Sequence, residues 1–319
     1  MSTSLAATRP VGRSGLVIPP IALGCGNFGG IGSAPEFFGA GLSDDQALEL
    51  MDAAWEFGLT HFDTADAYGG GRSEQAIGRW MRSRGVRPQL TTKTFNPMRT
   101  GADHGLAPER VERQLRTSLE RLGVDQVDLY LAHDHDPDVP IGQTLGAFEA
   151  AVAEGTIRAY GVSNFDARQL SAALARGGPQ AIQNGYSLLE RGDEPEVIPL
   201  CERRTVAYLA FSPLAGGWLT GKYHLGEPFP TGSRMTQRPE PYREFLAEQT
   251  FAALARLDAM AARRGTSMAG LALGWLLADE RITQIVVGPG RPEHLGPIRE
   301  ALEHAVTDQE RAEIERIFR

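Results

Sequence analysis

The stretch HFDTADAYG, residues 61–69, ends a short apolar run on an aspartate and places a tyrosine five residues later. Two further runs end in a similar way: TTK ends on Lys93, and DLYLAH ends on His133. Short runs rich in β-branched and aromatic residues are typical of buried strands. In a barrel of parallel strands, catalytic groups stand at the C-terminal strand ends. We therefore expect the aspartate and the tyrosine to meet Lys93 and His133 at one barrel mouth.

Eight such runs alternate with longer segments of helical period, which is the pattern of repeated βα units around a parallel sheet. The sequence thus predicts an α/β protein, a (β/α)8 TIM barrel, as a single domain over residues 1–319. The predicted strands are Ile21–Gly24, Thr60–Asp63, Leu90–Lys93, Val127–His133, Ala159–Val162, Ala181–Gln183, Val206–Phe211 and Gln284–Val287. The predicted helices are Asp44–Phe57 with Ser43 as its N-cap, Ser73–Arg82, Pro108–Leu122, Ile141–Glu154, Ala167–Ala175, Glu196–Arg203 and Pro292–Leu302.

Three segments lie outside the minimal repeat. Residues 9–18 contain two glycines and predict a hairpin that would close the bottom of the barrel. Residues 214–243 are rich in Gly and Pro and too long for a simple connection, which favours a cofactor or substrate loop. After it, Phe245–Arg263 and Met268–Ala278 read as two extra helices.

Composition excludes several classes of protein. A hydrophobic content of 42% and a charged content of 23% are ordinary for a globular chain, and no apolar stretch is long enough to cross a membrane. The net charge of −8 argues against nucleic acid as a partner. Two cysteines and an N-terminus without a secretory pattern favour the cytoplasm. No sequence feature sets an oligomeric state.

Lysine is rare in this chain. Of 32 Lys and Arg residues, only Lys93 and Lys222 are lysines. A bias in codon usage explains the abundance of Arg, and a retained lysine then marks a place where a compact amine of adjustable pKa is needed. Both lysines are therefore candidate site residues.

The motifs F-D-T-A-x-x-Y-G at 62–69, T-K at 92–93, D-L-Y-x-x-H at 128–133 and G-V-S-N-F at 161–165 occur in this order. With this set, nearly the whole chain resembles the aldo-keto reductases. The resemblance implies reduction of a small-molecule aldehyde or ketone by a nicotinamide cofactor lying extended across the barrel mouth. It implies neither a Rossmann domain nor a metal. NADPH is the expected cofactor, with NADH as the alternative.

Each residue of the resulting tetrad has a chemical role. Hydride transfer to a carbonyl leaves an alkoxide, so Tyr68 is expected to donate a proton. The Lys93 cation is expected to lower the pKa of Tyr68, which is ordinarily near 10. Asp63 would neutralise the buried Lys93, since an unpaired ammonium in the interior is costly. His133 would hydrogen-bond the carbonyl oxygen.

Cofactor contacts are carried over position by position from the resemblance. Ser163, Asn164 and Gln183 match residues that bind the carboxamide, and Phe211 stands where a tyrosine usually stacks on the nicotinamide. The expected diphosphate contacts are Ser212, Leu214, Gly216 and Lys222. The loop after strand eight supplies Gly288, Gly290 and Arg291, with Arg291 as the reader of the 2′-phosphate. In this loop the sequence departs from the family pattern, because Gly290 occupies the position where family members often have an Arg or a Lys.

The substrate cavity is assigned from loop residues. Its candidate walls are Phe28, Phe37, Asn96, His135 and Trp218, which suggests an apolar or a sugar-like carbonyl compound.

Two alternative functions of the chain stay open. His133 and His135 lie two apart on a strand and would suit a metal-dependent barrel hydrolase. The chain would also suit a non-catalytic, cofactor-binding regulatory subunit.

Overall fold

A computed structural model describes residues 4–318, in which eight parallel strands close into a barrel surrounded by helices. The predicted TIM barrel is thereby confirmed. The strands are β1 (Arg9–Pro10), β2 (Val17–Ile18), β3 (Ile21–Gly24), β4 (His61–Asp63), β5 (Gln89–Thr94), β6 (Val127–Ala132), β7 (Ile157–Ser163), β8 (Ala181–Gly185), β9 (Ala207–Phe211) and β10 (Ile282–Val287). β3 to β10 pair in chain order, and β10 closes the barrel on β3. The predicted domain bounds of 1–319 include residues 1–3 and 319, which lie outside the described residues.

The helices lie outside the barrel and mostly follow the predicted bounds. They are α1 (Asp44–Phe57), α2 (Arg72–Arg84), α3 (Pro108–Leu122), α4 (Ile141–Ala153), α5 (Ala167–Leu174), α6 (Val197–Arg204), α7 (Arg234–Gln237), α8 (Glu248–Arg264), α9 (Met268–Leu277), α10 (Gly296–Glu303) and α11 (Asp308–Ile317). The side chain of Ser43 caps α1 by accepting a hydrogen bond from the backbone N–H of Gln46, and the side chain of Gln46 accepts one from the backbone N–H of Ser43. Within residues 4–318, no helix is long and apolar enough to cross a membrane.

Alternation along each strand divides the apolar residues between two cores. Leu129 and Leu131 of β6 point into the barrel, whereas Tyr130 between them packs in the larger layer under the helices. This period of two follows from the geometry of a pleated strand. The arrangement leaves the polar strand ends free to form the mouth.

The N-terminal hairpin fills the inside of the barrel at its bottom. β1 and β2 pair antiparallel, as predicted, with Pro10 opposite Val17. Val11, Leu16 and Ile18 pack against the barrel interior and are almost wholly buried. The hairpin therefore completes a core that the strands alone would leave open to water.

Three local features differ from the sequence prediction. The helix predicted over Pro292–Leu302 is a 3-10 turn, Pro292–Leu295, followed by α10, because Pro297 fits only the first turn of an α-helix. Residues 214–243 contain α7 and 3-10 turns of their own rather than an irregular loop. The sequence analysis also missed α11, which packs against α8.

We expect Leu16→Ala to lower the free energy of unfolding by about 2–5 kcal/mol, because it opens a cavity in the closed interior core. Val17→Ala is the matched control, since Val17 is 45% exposed and should change stability by less than about 0.5 kcal/mol. Denaturant unfolding of both variants measures the difference. Equal stabilities would mean that the hairpin does not act as a plug.

Candidate active site

A buried ion pair joins the ends of β4 and β5. The Nζ of Lys93 donates to Oδ1 of Asp63 at 2.5 Å and to the backbone carbonyl of Thr64 at 2.8 Å. Burial opposes the charged form of Lys93, but Asp63 and Tyr68 outweigh it, so the pKa of Lys93 is raised. Lys93 therefore remains a cation at neutral pH.

The second carboxylate oxygen of Asp63 has a partner that the sequence analysis did not foresee. Nε2 of Gln183, at the end of β8, donates to Oδ2 of Asp63 at 2.7 Å. The amide orientation follows from the bond, since a carboxylate only accepts. Gln183 thus uses one N–H of its amide to hold Asp63, and its second N–H and its carbonyl oxygen are left for a cofactor carboxamide.

Tyr68 begins a 3-10 turn that follows β4, and its ring lies between the lysine and the histidine. The ring centroid is 5.1 Å from Nζ of Lys93 and 5.5 Å from the His133 ring centroid. The turn passes so close to the carbonyl of Phe28 that Gly69, with φ of 58°, has no room for a side chain. The sequence therefore holds Tyr68 by a turn that requires glycine after it.

Lys93 lowers the pKa of Tyr68 as expected, but the net shift of that pKa is upward rather than downward. Burial raises the pKa of Tyr68, and the Lys93 cation lowers it only in part, so the net change is upward. The cause is the loss of water around the phenolate, which outweighs one nearby charge. Tyr68 is therefore a protonated phenol at neutral pH.

His133 follows β6 directly and is held through its backbone. Its N–H donates to the carbonyl of Thr94 at 2.9 Å, and its own carbonyl accepts from Nδ2 of Asn164 at 2.9 Å. Burial lowers the pKa of His133 well below its usual value, and Lys93 lowers it further. The ring is therefore neutral at neutral pH and keeps one N–H to donate.

Tyr68 and His133 line one cavity of about 490 Å³ at the barrel mouth. Its other walls are largely polar: Gly32, Ser33, Ala34, Pro35, Glu36, Asn96, Pro97, Asp134, Asn164 and Arg238. The volume suits a small organic ligand. Asn96 was predicted as a wall, whereas Glu36, Asp134 and Arg238 were not.

Two predicted walls of this cavity lie elsewhere. Phe28 is 1% exposed and Trp218 is 0% exposed, and both pack in the hydrophobic core. The Trp218 ring meets the rings of Tyr223, Phe229, Phe245 and Phe251, the last of which lies in α8. Phe28 and Trp218 are therefore not walls of the cavity, because their burial among other apolar side chains keeps them from contact with a ligand.

The remaining two predicted walls are Phe37 and His135, and each of them packs against a neighbouring side chain. Phe37 is half-buried and packs under the guanidinium of Arg238, with 5.3 Å between them. The ring of His135 lies 5.3 Å from that of Phe165. Within residues 4–318, no three His, Cys, Asp or Glu side chains form a group that could hold a metal ion.

The predicted carboxamide residues Ser163 and Asn164 both bond to the backbone carbonyl of the third, Gln183. Oγ of Ser163 donates to the carbonyl of Gln183 at 2.6 Å, and the N–H of Asn164 donates to the same carbonyl at 3.2 Å. Asn164, Ser212 and Ala215 adopt positive φ angles of 58°, 53° and 47°, which side chains other than glycine seldom do. Such backbone strain clusters at functional sites.

Three cations come together where the diphosphate and the 2′-phosphate are expected. Partial burial lowers the pKa of Lys222, and the charges of Arg234 and Arg291 lower it further. Like charges held together are unfavourable unless an anion compensates them. A bound anion such as a phosphate would offset this charge, and Arg234 is a cation that the sequence analysis did not name.

The other predicted cofactor residues lie in the segment after β9 and in the loop after β10. Phe211 ends β9 and is half-buried, as are Ser212, Leu214 and Gly216 in the segment that follows. Gly216 lies against the Tyr242 ring so closely that a side chain there would overlap it. In the loop after β10, Gly288 is exposed, and the N–H of Gly290 donates to Nδ1 of His294 at 3.1 Å.

Comparison with known proteins agrees with this geometry. The Aldo/keto reductase family model matches residues 20–319. The chain is 34% identical over 305 residues to the L-glyceraldehyde 3-phosphate reductase of Escherichia coli (strain K12), covering 90% of this chain and 85% of that protein. It is 32% identical over 311 residues to the uncharacterized oxidoreductase YrpG of Bacillus subtilis (strain 168), covering 92% and 90% respectively. The structure of a glycerol dehydrogenase from Gluconobacter oxydans is similar, with a TM-score of 0.83 and 25% identity over 97% of this chain and 94% of that one.

The buried side chain of His61 makes the stability of the protein depend on pH in the acid range. His61 accepts from Nε2 of Gln284 on Nδ1 at 2.9 Å and therefore donates from Nε2 to Oγ1 of Thr91 at 2.8 Å. Burial lowers its pKa to about 4. The unfolded chain, with a pKa near 6.5, takes up the proton first, so stability is present above about pH 6.5 and is lost as pH falls toward 4.

We expect His61 to account for about 3 kcal/mol of stability lost between pH 6.5 and 4. Burial raises the pKa of Asp66 to about 7, which acts in the opposite direction, so the comparison must be between wild type and His61→Gln. Urea unfolding across this range should show a weaker pH dependence in His61→Gln. His304→Gln, at an exposed histidine, should behave as wild type. An unchanged slope in His61→Gln contradicts the prediction.

Proposed function

Because the chain belongs to the aldo/keto reductase family, whose members reduce carbonyl compounds with NAD(P)H, we propose that Tyr68, Lys93, Asp63 and His133 perform this reduction here. The observation that carries the proposal is the buried Lys93–Asp63 pair beside a tyrosine that lines the same cavity as His133. A protonated phenol and a neutral imidazole at one cavity can give a proton and a hydrogen bond to the same oxygen.

The nicotinamide cofactor supplies the hydride when bound, and the protein manages the charge on the oxygen. As the carbonyl carbon gains the hydride, Tyr68 transfers its proton to the oxygen and becomes a phenolate. Lys93 stabilises that phenolate through its charge. His133 donates a hydrogen bond that orients the carbonyl and stabilises its developing negative charge. The phenolate then regains a proton from solvent.

Asp63 acts in this scheme through Lys93. Without the carboxylate, burial would favour the neutral amine and remove the charge that stabilises the phenolate. Gln183 and Thr64 complete the arrangement by fixing the carboxylate and the ammonium respectively. Asp63 and Lys93 are therefore expected to work as one unit.

We expect Tyr68→Phe and Lys93→Met each to lower turnover by at least about 100-fold, the scale of a lost general acid. Cofactor binding, followed by fluorescence titration, should be largely kept. Asp63→Asn should add little to Lys93→Met, since both act on the same charge. Tyr160→Phe is the control, because its hydroxyl bonds to Glu149 on the outer face. Wild-type turnover in Tyr68→Phe, or additive losses in the double variant, would contradict this assignment.

For the cofactor, NADPH is the proposed choice over NADH. NADPH differs from NADH by a 2′-phosphate, and the group of Lys222, Arg234 and Arg291 has an excess of positive charge that a phosphate would offset. Arg291 is exposed, and its contact with Glu293 at 3.5 Å is a weak, solvated pair. Its guanidinium is therefore available to a phosphate.

We expect Arg291→Ala to weaken NADPH binding by about 10-fold or more, about 1.4 kcal/mol, and to spare NADH. Arg243→Ala is the matched control, since Arg243 is an exposed arginine of the same region outside the cation group. Dissociation constants for both cofactors give the answer. Equal weakening for NADPH and NADH would exclude Arg291 as the phosphate reader.

We further propose that the substrate is a small, polar carbonyl compound. We also propose that the protein acts in a reducing compartment, the cytoplasm. The polar walls of the cavity favour a sugar-like substrate over an apolar one. The names of two relatives, an L-glyceraldehyde 3-phosphate reductase and a glycerol dehydrogenase, support short hydroxylated compounds. Cys25 and Cys201 are buried free thiols, which suits a reducing environment.

A further inference from the structure

One guanidinium in the substrate cavity has no acidic partner. Arg238 lines the same cavity as Tyr68 and His133 and is half-buried. None of the ion pairs found among residues 4–318 includes it. A guanidinium has five N–H donors, and leaving them without an acceptor is unfavourable away from bulk water. An anion in the cavity would find this half-buried guanidinium without a competing acidic partner.

The backbone of Arg238 is held at the end of α7, and its side chain packs on Phe37. The backbone N–H of Arg238 donates to the carbonyl of Arg234 at 2.8 Å, which ends α7. Its guanidinium lies over the Phe37 ring at 5.3 Å and reaches so near Gly32 that a methyl group there would be 3.3 Å from Nη1. Stacking on a ring leaves the N–H edge of the fork free, and that edge matches an oxyanion bidentately.

Two acidic residues line the same cavity and would act against an anion. Glu36 and Asp134 are both exposed, so water screens their charges. Asp134 also accepts the backbone N–H of His135 at 2.8 Å, which occupies one carboxylate oxygen. Arg238 is half-buried and is therefore the least exposed of the three charges, so water screens it the least.

We propose that Arg238 is a specificity residue that binds a carboxylate or phosphate group on the substrate, so that the protein prefers anionic aldehydes and ketones over neutral ones of the same size. The inference rests on the proposed function, because it concerns the cavity in which Tyr68 and His133 act. Glu36 and Asp134 would then accept hydrogen bonds from substrate hydroxyl groups at the cavity rim.

The test compares matched pairs of aldehydes. Glyceraldehyde 3-phosphate is set against glyceraldehyde, and succinic semialdehyde against butanal, with NADPH oxidation as the readout. Wild type should show a higher kcat/KM for the anionic member of at least one pair. Arg238→Met, which keeps a side chain over Phe37 but removes the charge, should lower that kcat/KM by about 10-fold or more, mainly through KM. The neutral member should change by less than about twofold.

Controls separate the possible failures. Arg243→Met, at an exposed arginine of the same region, should leave both members of each pair unchanged. Equal losses for neutral and anionic aldehydes in Arg238→Met would overturn the proposal, as would a raised KM for NADPH with unchanged aldehyde kinetics. Wild type that favours neither anion overturns it whether or not the variant folds. Wild type that reduces none of the four aldehydes instead overturns the proposed function.

Discussion

The ammonium group of Lys93 is buried, and the whole mouth of the barrel depends on the partners that keep it charged. Removal of a lone ammonium from water costs several kcal/mol, so a buried lysine stays charged only beside a close anion. Asp63 provides that anion at 2.5 Å. Gln183 then holds the other oxygen of Asp63, and its backbone carbonyl accepts from both Ser163 and Asn164. One charge thus organises the ends of four strands.

The charge of Lys93 and the burial of the site both shift the pKa values of Tyr68 and His133, the two groups that line the cavity. Loss of water disfavours imidazolium and phenolate alike, so it lowers the pKa of His133 and raises that of Tyr68. The Lys93 cation lowers both pKa values, which reinforces burial at His133 and opposes it at Tyr68. Both groups are consequently neutral at neutral pH. These are the protonation states that reduction requires, since one group must give a proton and the other a hydrogen bond.

The sequence predicts the positions of the tetrad because strand ends can be read from short apolar runs. Asp63 and His133 fall at or directly after the ends of β4 and β6, and Lys93 lies one residue before the end of β5. The sign of the Tyr68 pKa shift could not be read in the same way. It depends on how much water the fold removes, whereas the sequence displays only which charges are near. Trp218 likewise reads as a pocket wall until the aromatic residues around it are placed.

Hydrophobic periodicity does not predict the structure of segment 214–243. Its turns depend on Gly216 and on the aromatic core around Trp218, so no repeat in the sequence reveals which side chains it presents. It supplies Arg234 to the cation group and Arg238 to the cavity, four residues apart at the two ends of α7. Like charges at this spacing destabilise a helix; burial lowers the pKa of Arg234, and the Arg238 cation lowers it further. A segment with only a structural role would gain stability from an acid at either position. The pair is consistent with two separate anions, one on the cofactor and one on the substrate, that offset the repulsion when they bind.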